Sequence, residues 1–144
     1  MSPMIRSATA ADAPLLLGIE RQSFSKPNWD MDSLLRYTCA VAELNGRIVG
    51  FLISRETFPA ASDAAAEREI LNVAVAAEYR REGIATALLE HELRHDATHF
   101  LEVRESNIPA QALYRKCGFV EVARRPGYYE HPVETAIVMR TRKC

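Results

Sequence analysis

Glu102 interrupts an apolar run, Phe100-Leu-Glu-Val103, and period-two alternation puts it on the opposite face of a strand from Leu101 and Val103. A carboxylate in a central strand costs free energy unless it faces a polar cavity or a partner. Arg104, two residues on and on the same face, is the simplest partner. Tyr114, beside Leu113 on an amphipathic stretch, reads by itself as a half-buried core tyrosine with a polar tip. Upstream, Val73-Ala-Val-Ala-Ala-Glu-Tyr-Arg80-Arg81-Glu82-Gly83-Ile84-Ala85-Thr86 runs a buried strand into a basic turn, a glycine and a helix start. Free N–H groups at the helix start, the helix dipole and the arginines together form a site for a phosphate-bearing ligand. Gly83 admits a close approach of backbone to ligand, and small Ala85 keeps the first turn open. As a bare fragment the same residues also suit a solvated basic turn. Neither G-x-G-x-x-G nor G-x-x-x-x-G-K-[ST] occurs, so dinucleotide and P-loop readings fall away. A rival chemistry is spelled by His91-Glu-Leu-Arg-His95, a literal H-E-x-x-H with His99 beyond it. On a helix the two imidazoles would share a face and Glu92 would activate water, as in a zinc metalloprotease. That helix begins at the phosphate loop, which a zinc protease has no use for, and His91 and His95 also read as packing residues beside Ile84 and Leu88.

The elements that must position these groups follow from local signals. Met4 to Ala8 reads as a strand, and Thr9-Ala-Ala-Asp12 as the start of a helix that turns Leu15, Leu16 and Ile19 inward and ends near Phe24. Ser25-Lys-Pro-Asn-Trp29 breaks it, and Met31 to Tyr37 forms a second short helix. Asn45-Gly46 between Cys39–Leu44 and Arg47–Ile53 predicts a β-hairpin with a type I′ turn. Phe58 to Ala66 is a loop. Glu69 to Ala76 is a strand covered on both faces, Ile84 to His95 a helix, and Phe100 to Arg104 a strand. Asn107 caps a helix with Pro109 in its first turn, which runs to about Lys116 and stops at Gly118. Phe119–Ala123 and Ala136–Arg140 complete the strands. The order is β-α-α-β-β-β-α-β-α-β-β: an α/β chain with a mixed sheet of about six to seven strands flanked by about four helices.

Arg80-Arg-Glu-Gly-Ile-Ala85 matches the R/Q-x-x-G-x-G/A motif of the GCN5-related N-acetyltransferase (GNAT) superfamily, in that superfamily's setting after a strand and at a helix N-terminus. Within it, Leu71-Asn-Val-Ala-Val75, Leu101-Glu-Val-Arg-Glu-Ser-Asn107, Ala112-Leu-Tyr-Arg-Lys-Cys-Gly-Phe119 and Arg125-Pro-Gly-Tyr-Tyr129 resemble the ribosomal-protein-alanine N-acetyltransferase (RimI) family, in the right order along most of the chain. The resemblance implies a GNAT-like fold and acetyl-CoA as cosubstrate, with no metal required. It implies that the backbone of Val73, Ala74 and Val75 pairs with the pantetheine arm. It further implies that Arg81, Glu82, Gly83, Ile84, Ala85 and Thr86 hold the pyrophosphate and that Asn107 contacts the cofactor further along. Glu102 then matches the family's general base and Tyr114 its general acid. The acceptor implied is the N-terminal α-amine of a protein, ribosomal protein S18 being the family's usual substrate; a small amine is the alternative. Tyr128 and Tyr129, with Trp29 and Phe24, are candidates to wall a groove for an acceptor peptide, the alternative being ordinary packing of surface loops. Two departures stand out: Glu82 brings a negative charge into the loop, and the stretch from the helix at Ile84 to Phe100 is about one turn short. A regulatory acyl-CoA-binding domain without turnover would not need to keep both Glu102 and Tyr114.

Composition sets the bounds. At 144 residues, 48% hydrophobic and 26% charged, the chain suits one domain, residues 1–144, with a core that needs no staples. Lys plus Arg number 18 against 19 Asp plus Glu, a net charge of −1 that speaks against a bulk nucleic-acid binder. No apolar run approaches a membrane span, and Met1 to Arg6 lacks a signal core. The 3 cysteines, Cys39, Cys117 and Cys144, form no C-x-x-C pair. They read as free thiols of a cytoplasmic protein, with Cys39 and Cys117 as small buried apolar residues.

Overall fold

The computed structural model describes residues 2–23, 37–61 and 65–142. Seven strands hydrogen-bond into one mixed sheet in the order β1-β2-β3-β4-β5-β7-β6: β1 (Met4–Ser7), β2 (Thr38–Leu44), β3 (Arg47–Phe58), β4 (Ala66–Val75), β5 (Ala97–Arg104), β6 (Val120–Tyr129) and β7 (Glu134–Arg142). Three α-helices lie among the described residues: α1 (Ala13–Ser23), α2 (Ile84–Glu92) and α3 (Ile108–Lys116). None of the described helices is long and apolar enough to cross a membrane. The expected helix over Met31 to Tyr37 falls outside the described residues except for Tyr37, as do Phe24, Trp29 and Cys144. By packing, the chain divides into two compact units, residues 1–55 with 71–94 and residues 56–70 with 95–144.

In the first unit, β1, β2 and the start of β3 form an antiparallel meander, with register Ile5↔Ala42 and Val41↔Phe51. The hairpin turn forms as its dipeptide requires, since Asn45 and Gly46 both take positive φ, 51° and 78°. Val41, Phe51 and Ile53 face Leu16 and Ile19 of α1, with Ala74 of β4 in the same cluster. Each large side chain removed from water there contributes roughly 1.5–3 kcal/mol. Leu15, expected inward, is 56% exposed. It lies about a quarter-turn round the helix from Leu16, off the stripe that Leu16 and Ile19 make at i and i+3. Gly50 lets α2 settle close to β3, because a Cβ there would stand 2.9 Å from the Ala74 carbonyl and 3.3 Å from Ile84.

In the second unit, β4 pairs parallel with β5 from Ala66↔Ala97 to Ile70↔Leu101, and β5 pairs antiparallel with β7 from Thr98↔Arg142 to Arg104↔Ala136. Leu101, Val103, Phe119, Ile137 and Met139 are its core. The α3 boundaries match the reading of the sequence. Asn107 Oδ1 accepts the Ala110 N–H at 3.2 Å, and Gly118 at φ 98° closes the helix. The Phe119 and Gly118 N–H groups donate back to Tyr114 and Arg115, each at 3.0 Å, the paired bonds of a Schellman ending.

Several strands outrun their expected bounds. β3 continues to Phe58, β4 begins at Ala66 and β5 at Ala97. The strand expected to end at Ala123 runs on as β6 to Tyr129, taking in Pro126 and Gly127 through a register shift between Arg125 and Tyr129. In the other direction, α2 stops at Glu92 instead of reaching His95, and the chain turns through Leu93–Asp96 into β5.

Candidate active site

Each unit holds one group of residues able to do chemistry. In the first, β4 leads through a 3-10 turn (Ala77–Tyr79) into Arg80–Gly83 and then α2. Gly83 is the N-cap of α2 at φ 80°, no side chain caps the helix, and its first turn carries no acid. The leading N–H groups of α2 and its positive dipole end are therefore left for an outside anion. A Cβ on Gly83 would meet nothing within 4 Å, so the backbone there borders open space. Arg81, also exposed, takes φ 65°, a conformation that costs a non-glycine residue about 1–2 kcal/mol and recurs where a loop is shaped for a ligand. Arg80 is folded back, its Nε donating to the Val75 carbonyl at 3.1 Å. Glu82 is exposed, so its charge lies in solvent. Ile84, by contrast, is a core residue, and Ala85 and Thr86 are half-buried in the first turn. The donor set suits phosphate oxygens. The β4–β5 ladder ends at Ile70↔Leu101, whereas β4 runs on through Val73, Ala74 and Val75.

In the second unit Glu102 stands where alternation predicted, on the face of β5 opposite buried Leu101 and Val103, its side chain 16% exposed. Its ion partner is Arg125, with Nε 3.7 Å from Oε2, and the expected bridge to Arg104 does not form. Arg104 pairs instead with Glu134 at 3.2 Å. Its guanidinium also donates to the carbonyls of Pro132 and Glu130, each at 3.0 Å, and lies 4.4 Å from the centre of the Tyr129 ring. Glu102 Oε2 is buried and, among the described residues, accepts no hydrogen bond. Burial raises the Glu102 carboxyl above its ordinary range; Arg125 pulls it down, Glu69 pushes it up, and a hydrogen bond with Tyr128 lowers it. The net direction is upward, as a proton acceptor requires. Tyr128 and Tyr129 stack edge to face, centroids 5.1 Å apart.

Tyr114 packs edge-on against Phe119 at 5.9 Å. Burial, with a smaller push from Cys117, raises its hydroxyl to about 12, so it carries its proton at neutral pH. Asn107 spends its side-chain oxygen on the helix cap. Gln111, buried in α3, donates to the carbonyls of Arg104 at 3.1 Å and Glu105 at 2.8 Å, which ties the helix to the end of β5. The reading of the sequence missed the Arg125–Glu102 pair and the influence of Glu69. The Arg125-Pro-Gly-Tyr-Tyr129 stretch was the available signal for the first, and nothing local pointed to the second.

The H-E-x-x-H reading does not survive the geometry. With α2 ending at Glu92, His91 and His95 do not lie on one helical face, and His99 is inside β5. Glu92 is 3% exposed and accepts a hydrogen bond from Ser54 Oγ at 2.7 Å, a core anchor closed to substrate water. Among the described residues no three His, Cys, Asp or Glu side chains come together as a metal site needs.

The uncapped helix N-terminus after β4 can hold an anion, and the carboxylate on β5, with its raised proton affinity, can accept a proton. The model of the acetyltransferase (GNAT) family matches residues 9–119, and the chain belongs to that family. It is 34% identical to the [ribosomal protein bS18]-alanine N-acetyltransferase of Escherichia coli K12, over 87% of this chain and 86% of the relative. It is 32% identical to an N-alpha-acetyltransferase of Sulfurisphaera tokodaii, over 87% and 84%. The crystal structure of the Escherichia coli ribosomal-protein-S18-alanine N-acetyltransferase superposes with a TM-score of 0.81 at 33% identity, covering 99% of this chain and 96% of the other.

Proposed function

We propose that residues 1–144 work as one N-acetyltransferase domain that moves the acetyl group of acetyl-CoA to the N-terminal α-amine of a protein. The carrying observation is Glu102: a half-buried carboxylate with an unbonded oxygen and a raised proton affinity, on a central strand beside two tyrosines. Acetyl-CoA supplies an activated acyl group on a thioester. Gly83 to Thr86 and Arg81 hold its pyrophosphate, and the backbone of Val73 to Val75 takes the pantetheine arm, a role supported by the early end of the β4–β5 ladder. Asn107, by family resemblance, contacts the cofactor through groups other than its capping oxygen.

Glu102 takes a proton from the acceptor's ammonium, whose ordinary pKa of about 7.7–8.0 makes that step far easier than for lysine at about 10.4. Tyr114, protonated at neutral pH, gives its proton to the departing sulfur and is restored by the proton the nitrogen sheds on becoming an amide, while Glu102 releases the first proton to solvent. Tyr128 and Tyr129 wall the acceptor side. The acceptor named for the Escherichia coli relative is ribosomal protein bS18, and we carry that acceptor here. Among the described residues neither Cys39 nor Cys117 is in a disulfide, as suits work in a reducing cytoplasm.

A peptide array with radiolabelled acetyl-CoA tests the reading. Label should enter peptides with a free N-terminal alanine and be absent from the same peptides already Nα-acetylated. Label only on lysine side chains or on small amines would overturn it.

A further inference from the structure

Two arginines flank the tyrosine pair, and they are held very differently. Arg104 makes three hydrogen bonds and lies over the Tyr129 ring, so it is locked in place. Arg125, on β6, has a side chain 59% exposed. Among the described residues its guanidinium touches two groups, both loosely: Glu102 Oε2 at 3.7 Å, too long for a hydrogen bond, and the Tyr128 ring at 5.3 Å. Both attract a cation, one as a carboxylate and one as an aromatic face. Neither is well satisfied, since Oε2 is buried and, among the described residues, accepts no hydrogen bond.

On the acetyltransferase reading above, we propose that Arg125 is a displaceable stand-in for the acceptor's ammonium, occupying the cation position beside Glu102 and over Tyr128 until an N-terminal amine takes it. The acceptor's α-ammonium is not tethered to the sheet and can approach Oε2 to true hydrogen-bonding distance, whereas Arg125, fixed to β6, holds its Nε at 3.7 Å. The exchange swaps one positive charge for another, so the half-buried carboxylate keeps a counter-cation throughout. Once the amine has become an amide it has no charge to hold the position, and Arg125 returns as product leaves. The groups that bear on Glu102 are Arg125, Tyr128 and Tyr129 from β6 and Glu69 from β4. Arg104, on the same face of β5, is already committed to Glu134. Among these, Arg125 is the exposed, loosely bound cation.

The test compares Arg125→Met and Arg125→Lys with the parent. Removing the cation should move the acid limb of kcat/KM, which reports the free enzyme, to higher pH. The acid limb of kcat should stay in place, because in the complex Arg125 has already been displaced. Above the limb, Arg125→Met should lower the KM for an alanine-led peptide roughly 1.5- to 5-fold, the span an exposed ion pair is worth. Arg125→Lys should keep the parent profile. A kcat limb that moves together with that of kcat/KM, or two limbs that do not move, would overturn the proposal. A second readout needs no turnover: ¹³C-carboxyl titration of Glu102 should differ between parent and Arg125→Met when free, and coincide when both hold CoA and the alanine-led peptide. Persistence of the difference with peptide bound, or no difference in the free proteins, sinks the proposal even if acetyl transfer is found. A parent that acetylates no N-terminal amine sinks the acetyltransferase reading instead, and the titration still decides the role of Arg125.

Discussion

Ionising Glu102 in the fold is harder than in the unfolded chain, where its ordinary value is 4.5, because burial outweighs the Arg125 attraction. The sign follows from linkage. A carboxyl whose folded value is raised contributes its stability below 4.5 and loses it as pH rises through the folded value. Glu102→Gln should therefore melt at a temperature equal to or above the parent's at pH 7, with the two curves converging below the ordinary carboxyl range. The same variant should bind acetyl-CoA and lose kcat by roughly 10²- to 10⁴-fold. That loss should shrink at high pH, where the amine is already neutral. A variant that turns over at the parent rate at neutral pH removes Glu102 from the mechanism. Tyr114→Phe should slow kcat by a smaller factor with little change in cofactor affinity, because a thiolate with a thiol-like value near 8.5 is already a tolerable leaving group. Thermal melts on each sample separate slowed chemistry from lost folding, which matters here because the Tyr114 ring also packs on Phe119.

For the β4–α2 connection, the test is binding. Gly83→Val should weaken CoA binding sharply in calorimetry, since it strains a φ of 80° and puts a branched side chain where the backbone borders open space. Arg81→Ala should cost less, because the N–H groups of α2 still point outward. Equal, parent-like affinities in both would place the phosphates elsewhere. This element was legible in sequence because every signal in it is local: a strand, a basic turn, a glycine, a helix. The Asn45-Gly46 hairpin and the Asn107-to-Gly118 helix were legible for the same reason. The end of α2 was not, since Leu93 and Arg94 are good helix formers and no glycine or proline marks the stop. There the tertiary bond from Ser54 to Glu92 and the entry into β5 prevail over propensity. The reach of β6 was hidden because Pro126-Gly127 is turn chemistry wherever a neighbouring strand does not absorb it as a bulge. The pairing of Glu102 with Arg125 was hidden because it joins strands far apart in sequence, and the nearer Arg104 looked sufficient.

For the molecule as a whole, a ligand that binds only the folded chain must stabilise it. Acetyl-CoA at 100 times its Kd should add about 2.7 kcal/mol and raise Tm accordingly, and a chelator should change neither Tm nor acetyl transfer. Loss of activity on chelation, restored by zinc, would overturn the proposed metal-free acetyl transfer. Among the described residues the sheet order leaves two strands with one side unpaired, β1 and β6. Unpaired strand edges invite other chains to zip on and seed aggregates. β1 offers only Met4–Ser7, too short a template. β6 is long, but Pro126 has no N–H to offer, the ladder slips between Arg125 and Tyr129, and Glu121, Arg124 and Arg125 bring charge to it. The irregularity that sets Arg125 and Tyr128 beside Glu102 therefore also spoils the edge as a template, so solubility at high concentration and the proposed acceptor site draw on the same short stretch of chain.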